Sequence, residues 1–148
     1  MSIRLAALEE MQTRLARIRT TNGYETDAGQ LVFIGERPVL GPEDPTATIA
    51  VVVGEDDPMY QGENVAITLP VEVQAVVKAD VEGPWSTVEA IIADIKKAVE
   101  TDHDLGGTLM PRGLTRGKTR PFDRESGGEF VGAGVEYRLV YAEEWGAP

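Results

Sequence analysis

The chain has 148 residues, 42% of them hydrophobic, and a formal charge of −11 from 14 Lys and Arg against 25 Asp and Glu. A chain of this length buries roughly 68–70% of its unfolded surface on folding, which suits one domain, residues 1–148, with no need of a disulfide or metal. The absence of cysteine excludes disulfides and thiolate chemistry, and the net acidity repels nucleic-acid phosphates on average.

No apolar run approaches the ~20 residues of a membrane span. The first segment places Glu9 and Glu10 inside its apolar pattern, which is not how a signal peptide is built. Ser2 to Thr20 reads as an amphipathic helix: Leu8, Met11, Leu15 and Ile18 recur at helical spacing and Leu5 extends the stripe. Ser2 caps its start, Glu10 and Arg14 pair along the opposite side, and Asn22-Gly23 ends it. A turn at Asp27–Gly29 leads to a short strand, Gln30 to Gly35, and a proline-containing loop spans Arg37 to Pro45.

Ala47 to Val53 is apolar on both faces and predicts a strand in the middle of a sheet. Gly54 to Asn64 reads as a polar loop. Val65 to Ala79 alternates strictly, with Val65, Ile67, Leu69, Val71, Val73, Ala75 and Val77 on one face. Pro70 lies within it and predicts a bulge or an unpaired edge, because it cannot donate to a ladder.

A second helix follows Trp85. Ser86 and Glu89 have the spacing of a capping box. Val88, Ile91, Ile92, Ile95, Ala98 and Val99 form its stripe, and Glu89, Asp94, Lys96, Lys97 and Glu100 cover the rest. Thr108 to Thr119 is ambiguous between loop and weak strand, and Arg120 to Gly128 reads as a mobile loop. Glu129 to Ala142 is the last long strand, with Val131, Ala133, Val135, Tyr137, Leu139 and Tyr141 on one face. Helix, strands, helix, strands gives an α+β domain: a mostly antiparallel sheet with two amphipathic helices on one face.

Charge is laid out unevenly. Seven acids and no base lie between Arg37 and Lys78, including Glu55, Asp56 and Asp57. Five bases, Arg112, Arg116, Lys118, Arg120 and Arg124, stand against the single acid Asp123 in the segment from Arg112 to Arg124. Two such segments either pair between copies of the chain or are simply solvated loops. Gly132 and Gly134 fall on the polar face of the last strand. There they either expose backbone to another chain or relieve crowding. These ten residues form the candidate interface.

No catalytic, cofactor-binding or metal-ligating set is expected. His103, flanked by Asp102 and Asp104, resembles part of a metal or general-base site, but one histidine supplies one ligand and sits well near a helix C-terminus for dipole reasons alone. Glu55-Asp56-Asp57 lacks the alternating spacing of a calcium loop, and no phosphate-loop, nucleophile-elbow or zinc-helix motif is present.

Three stretches carry a family resemblance: LARIRTTNGYETDAGQLVFIGER from Leu15 to Arg37, LPVEVQAVV from Leu69 to Val77, and VGAGVEYRLVYAEEW from Val131 to Trp145. In this order the chain resembles the tail terminator proteins of long-tailed bacteriophages, of the lambda minor tail protein U type. The resemblance implies a structural virion protein, not an enzyme. It implies an α+β subunit of a hexameric ring at the head-proximal end of the tail, assembled in the host cytoplasm. Such a ring binds the last ring of tail tube protein, stops polymerisation and docks the head or neck connector. DNA passes through it without specific binding, which an acidic subunit suits, and no membrane is involved. Two alternatives stand beside this reading: another head–tail joining component, and a small-ligand-binding module or enzyme using the polar face of the sheet.

Overall fold

The computed structural model describes residues 1–35, 43–122 and 129–148. Among them, two α-helices, α1 (Ile3–Ala16) and α2 (Pro84–Val99), contact a six-stranded, mostly antiparallel sheet, an α+β arrangement. The strands are β1 (Val32–Ile34), β2 (Ala47–Val53), β3 (Asp57–Gln61), β4 (Asn64–Lys78), β5 (Leu114–Pro121) and β6 (Phe130–Glu144). Their order is β1-β2-β4-β6-β5, with β3 also paired to β4 and only β1–β2 parallel.

The pair β4–β6 is the spine. All fifteen residues of each strand are in register, from Asn64 opposite Glu144 to Lys78 opposite Phe130, so odd positions face odd positions throughout. Because side chains alternate faces along a strand, the apolar odd residues of both strands form one continuous surface. Leu69, Val73, Val135, Tyr137 and Leu139 are fully buried there, in one cluster with Met11, Leu15 and Ile18 of the N-terminal region and Val88, Ile91 and Ile95 of α2.

Pro70 produces no bulge, since the register with β6 runs through it unshifted. It sits instead where the other edge of β4 changes partner, after β3 has paired Asn64–Thr68 and before β2 pairs Val71–Val77. Its carbonyl accepts from Gly54 N–H at 2.9 Å, and its missing donor falls in the gap between the two neighbours.

Local structure departs from the sequence reading in identifiable ways. Ser2 caps α1 as expected, its hydroxyl accepting from Leu5 N–H at 3.1 Å. The helix stops at Ala16, however, and Gly23, with φ +87°, closes a separate short 3-10 turn. Gly29 sets this geometry: its amide donates to Ile18 O at 2.9 Å, and a Cβ there would lie 2.6–2.8 Å from the carbonyl oxygens of Leu15, Ala16 and Ile18. Leu5 is exposed, off the buried stripe. Helix α2 begins at Pro84 behind a left-handed Gly83, a favoured first position for proline. Ser86 lies inside the first turn and donates to Gly83 O rather than capping.

One segment read as a loop, Gly54 to Asn64, and one left ambiguous between loop and weak strand, Thr108 to Thr119, contain strands. Asp57–Gln61 pairs with β4 through the two-residue turn Gly62-Glu63, and Leu114–Pro121 pairs with β6 across a register shift between Arg116 and Thr119. Most of the proline-containing segment from Arg37 to Pro45, and Arg124 with the rest of residues 123–128, lie outside the described residues.

Candidate interaction surfaces

The acidic residues and the basic residues lie on opposite sides of the sheet spine. Glu55 and Asp56 connect β2 to β3, and Asp57 opens β3 opposite Thr68 of β4. Arg116, Lys118 and Arg120 belong to β5, which borders β6, and Arg112 sits in the preceding turn with φ +56°. Two strands, β4 and β6, stand between the groups. At about 4.8 Å per strand spacing this is too far for direct pairing within one subunit.

Several of these charges already have partners. Arg120 reaches across the outer, non-helical face to Glu72 with two bonds of 3.0 Å, from Nε to Oε2 and from Nη2 to Oε1. Gln74 Nε2 donates to the same Glu72 Oε1 at 2.8 Å. Arg116 Nε lies 3.6 Å from Glu100 Oε1 at the C-terminal end of α2. Asp56 pairs with Arg4 of α1 at 3.2 Å, a surface contact of little energetic weight. Among the described residues, neither Arg112 nor Lys118 meets a carboxylate within salt-bridge distance. The basic segment is thus an edge strand with its charges divided. Arg116 points to the helix side, Arg120 to the outer side, and Arg112 and Lys118 carry unpaired charge.

Gly132 and Gly134 do lie on the non-core face of β6, but both are buried under their own chain. A Cβ at Gly132 would meet the Phe122 ring at 2.8 Å and Ala75 O at 2.7 Å; one at Gly134 would meet Glu72 Cδ at 2.6 Å. The glycines make room for the Phe122 ring and the Glu72–Arg120 pair. Of the two roles open to them, relief of crowding is the one this fold uses.

A surface absent from the sequence reading appears at the β3–β4 hairpin end. Met59, Tyr60 and Trp145 are 63%, 62% and 67% exposed. Met59 stands opposite Ala66, which stands opposite Ala142, so the outer face here is a flat apolar strip. Tyr60 and Trp145 rings lie 5.8 Å apart, and Trp145 N–H is held by Glu63 O at 2.8 Å. Pro58, opposite Ile67, occupies the edge strand at a position that alternates with the hydrogen-bonded pair closing the hairpin, Gln61–Asn64. Its missing donor therefore faces outward, which blunts ladder extension from this edge.

The segment Asp102-His103-Asp104 is a structural turn. Asp102 takes two bonds from Arg14, 2.9 Å from Nη1 and 2.8 Å from Nη2, and a third from Gly106 N–H. Asp104 accepts from Gly107 N–H at 3.2 Å, and His103 contributes its carbonyl, which accepts from Leu114 N–H at 2.9 Å. The Arg14 guanidinium holds the Asp102 carboxyl well below the usual carboxylate range. Among the described residues no three His, Asp or Glu side chains converge as a metal site. An open groove of about 370 Å³ beside α1, formed by Ile3, Ala6, Gly107, Thr108, Leu109, Met110 and Ala142, has no ionisable side chain in its lining. Comparison of the sequence with protein-family models and with curated proteins gives no match.

Proposed function

We propose that this chain is a structural assembly protein of the tail-terminator type. It forms a closed ring at the head-proximal end of a phage tail tube, stops tube growth there and offers a docking surface to the head or neck connector. The resemblance of Leu15–Arg37, Leu69–Val77 and Val131–Trp145 to that family supplies the identity of the assembly. The observation that carries it is the separation of Glu55, Asp56 and Asp57 from the bases of β5 by β4 and β6. A ring requires two different, complementary patches per subunit, facing in different directions, because a heterologous contact must repeat until it closes. Acids around Asp56 on one side of the spine and Arg112 and Lys118 on the other meet that requirement. The net charge of −11 keeps the lumen unattractive to the DNA that passes through.

Electron microscopy of the purified protein mixed with tail tubes tests this reading. A ring seated at one end of each tube is expected. Tubes with bare ends at saturating protein would refute it.

A further inference from the structure

We infer that the β3–β4 hairpin end of one subunit docks against β5 of a second copy, with Tyr60 and Trp145 as the apolar centre of the contact. The inference rests on the ring reading and goes further by naming the two surfaces that meet.

The hairpin end has the composition of an interface core. Two large aromatic side chains, Tyr60 and Trp145, stand mostly in solvent there with their rings together, and Met59, also exposed, lies on the opposite face of the same strand. Exposed tyrosine and tryptophan grouped at one point are what protein contacts use as anchors. Acids rim the group: Asp57 at the start of the strand, Glu63 in the turn, and Glu143 and Glu144 at the end of β6. Its occupant is therefore basic at the margins and offers room for rings between the charges.

The same chain carries such a surface. β5 is the free edge beyond β6, exposed at every residue from Thr115 to Pro121. Its sequence alternates small and basic residues: Thr115, Arg116, Gly117, Lys118, Thr119, Arg120. The small residues keep the surface low, and the long basic stems offer apolar length topped by charge. Aromatic rings under cations are a contact the described residues already make internally, with Arg120 over Phe122 at 4.9 Å and Lys97 over Tyr24 at 4.8 Å. The outward proline of β3 and the register shift in β5 both discourage sheet-to-sheet extension, so the contact runs through side chains. Hairpin end and β5 lie on opposite sides of the β4–β6 spine, so one subunit cannot join them to each other and the contact propagates head to tail.

The lack of cysteine makes a cross-linking test clean. Protein with Tyr60→Cys is mixed with protein carrying Lys118→Cys and oxidised, and the double variant is oxidised alone. A disulfide between the two single variants, and a ladder ending in a closed species for the double variant, is the expected result. Assembly seen by sedimentation without that disulfide, or with Tyr60→Cys linked only to itself, overturns the docking mode and leaves the ring reading intact. Wild-type protein that stays monomeric at every concentration, with and without tail tubes, overturns both. As a second measure, Trp145→Ser is expected to raise the concentration at half-assembly about tenfold or more, as loss of an anchor does, with an unchanged circular dichroism spectrum. An unchanged assembly midpoint contradicts the inference.

Discussion

Arg14 and Asp102 form a two-pronged ion pair, 2.9 Å and 2.8 Å, that ties the last turn of α1 to the turn after α2. Arg14 is only 6% exposed. Its guanidinium also donates to Val99 O at 3.1 Å, Thr101 Oγ1 at 3.0 Å and Glu10 Oε1 at 3.0 Å. The planar fork satisfies several acceptors at once, which a lysine cannot do. Arg14→Met leaves those acceptors without their donor and is expected to cost about 1–3 kcal/mol in chemical denaturation. Arg14→Lys should recover only part of it.

The same pair sets the acid limit of the fold. Asp102 titrates lower in the folded chain than in the unfolded one, first because Arg14 bonds to its ionised form. A depressed carboxyl contributes stability that is present above its unfolded value, near 3.9, and is lost as pH falls through the folded value. Acid unfolding followed by circular dichroism should therefore steepen below about pH 4, and Asp102→Asn should remove that part of the slope.

At the other end of the pH scale the relevant group is Tyr137. Burial, and then its 2.8 Å bond to Glu100, push its hydroxyl above the ordinary tyrosine value. A raised folded value gives stability that is complete below the unfolded pKa, near 10, and is lost as pH rises through the folded value. Tyr137→Phe should cost about 1.5–3 kcal/mol at neutral pH, as lost hydrogen bonds to charged groups do, and should flatten the fall in stability above about pH 10.

Gly132 tests the packing of the outer face. A methyl group there meets backbone at Ala75 O and the Phe122 ring, so one of them must move. Gly132→Ala should lower stability by about 1–3 kcal/mol, the usual range for overpacking. Pairing it with Phe122→Ala should relieve part of the ring clash but not the contact with Ala75 O, so a thermal-melt double-mutant cycle will show partial coupling.

The long elements were readable in the sequence because burial imposes a period on them. Ala47–Val53 has the expected bounds, and β4, β6 and α2 each fall within two or three residues of expectation. Elements without a buried stripe were not readable. β3 is exposed at all five residues and β5 at seven of eight, so neither shows alternation; DPMYQ reads as a loop, and LTRGKTRP is ambiguous between loop and weak strand up to Thr119. Position on a helix face also misleads where a distant segment folds over it. Arg14 and Asp94 occupy polar positions in the helical pattern yet are buried. Asp94 is 2% exposed and accepts from Glu25 N–H, Thr26 N–H and Thr26 Oγ1 at 2.7–3.0 Å. Glu10, four residues from Arg14, was a readable partner, but Asp102 and the Glu25–Thr26 backbone lie 68 to 88 residues from theirs, beyond any local pattern. The hairpin-end patch was equally hidden. Met59, Tyr60 and Trp145 are ordinary apolar residues until the register places β3 and the end of β6 beyond the helical layer.

Charge should govern assembly as well as stability. Changing Arg112, Arg116, Lys118, Arg120 and Arg124 to Ser removes every base of the segment from Arg112 to Arg124. Sedimentation velocity should show the variant shifted to smaller species, with a gap from wild type that narrows as salt rises and screens the contact. Identical profiles would contradict charge pairing across the ring.

The most direct measurement of the central claim is the length distribution of tail tubes assembled in vitro with and without this protein, counted by electron microscopy. A terminator caps tubes, so added protein should stop growth and leave capped tubes short and uniform while controls continue to lengthen. Tubes that reach the same broad distribution of lengths in both conditions would contradict the account.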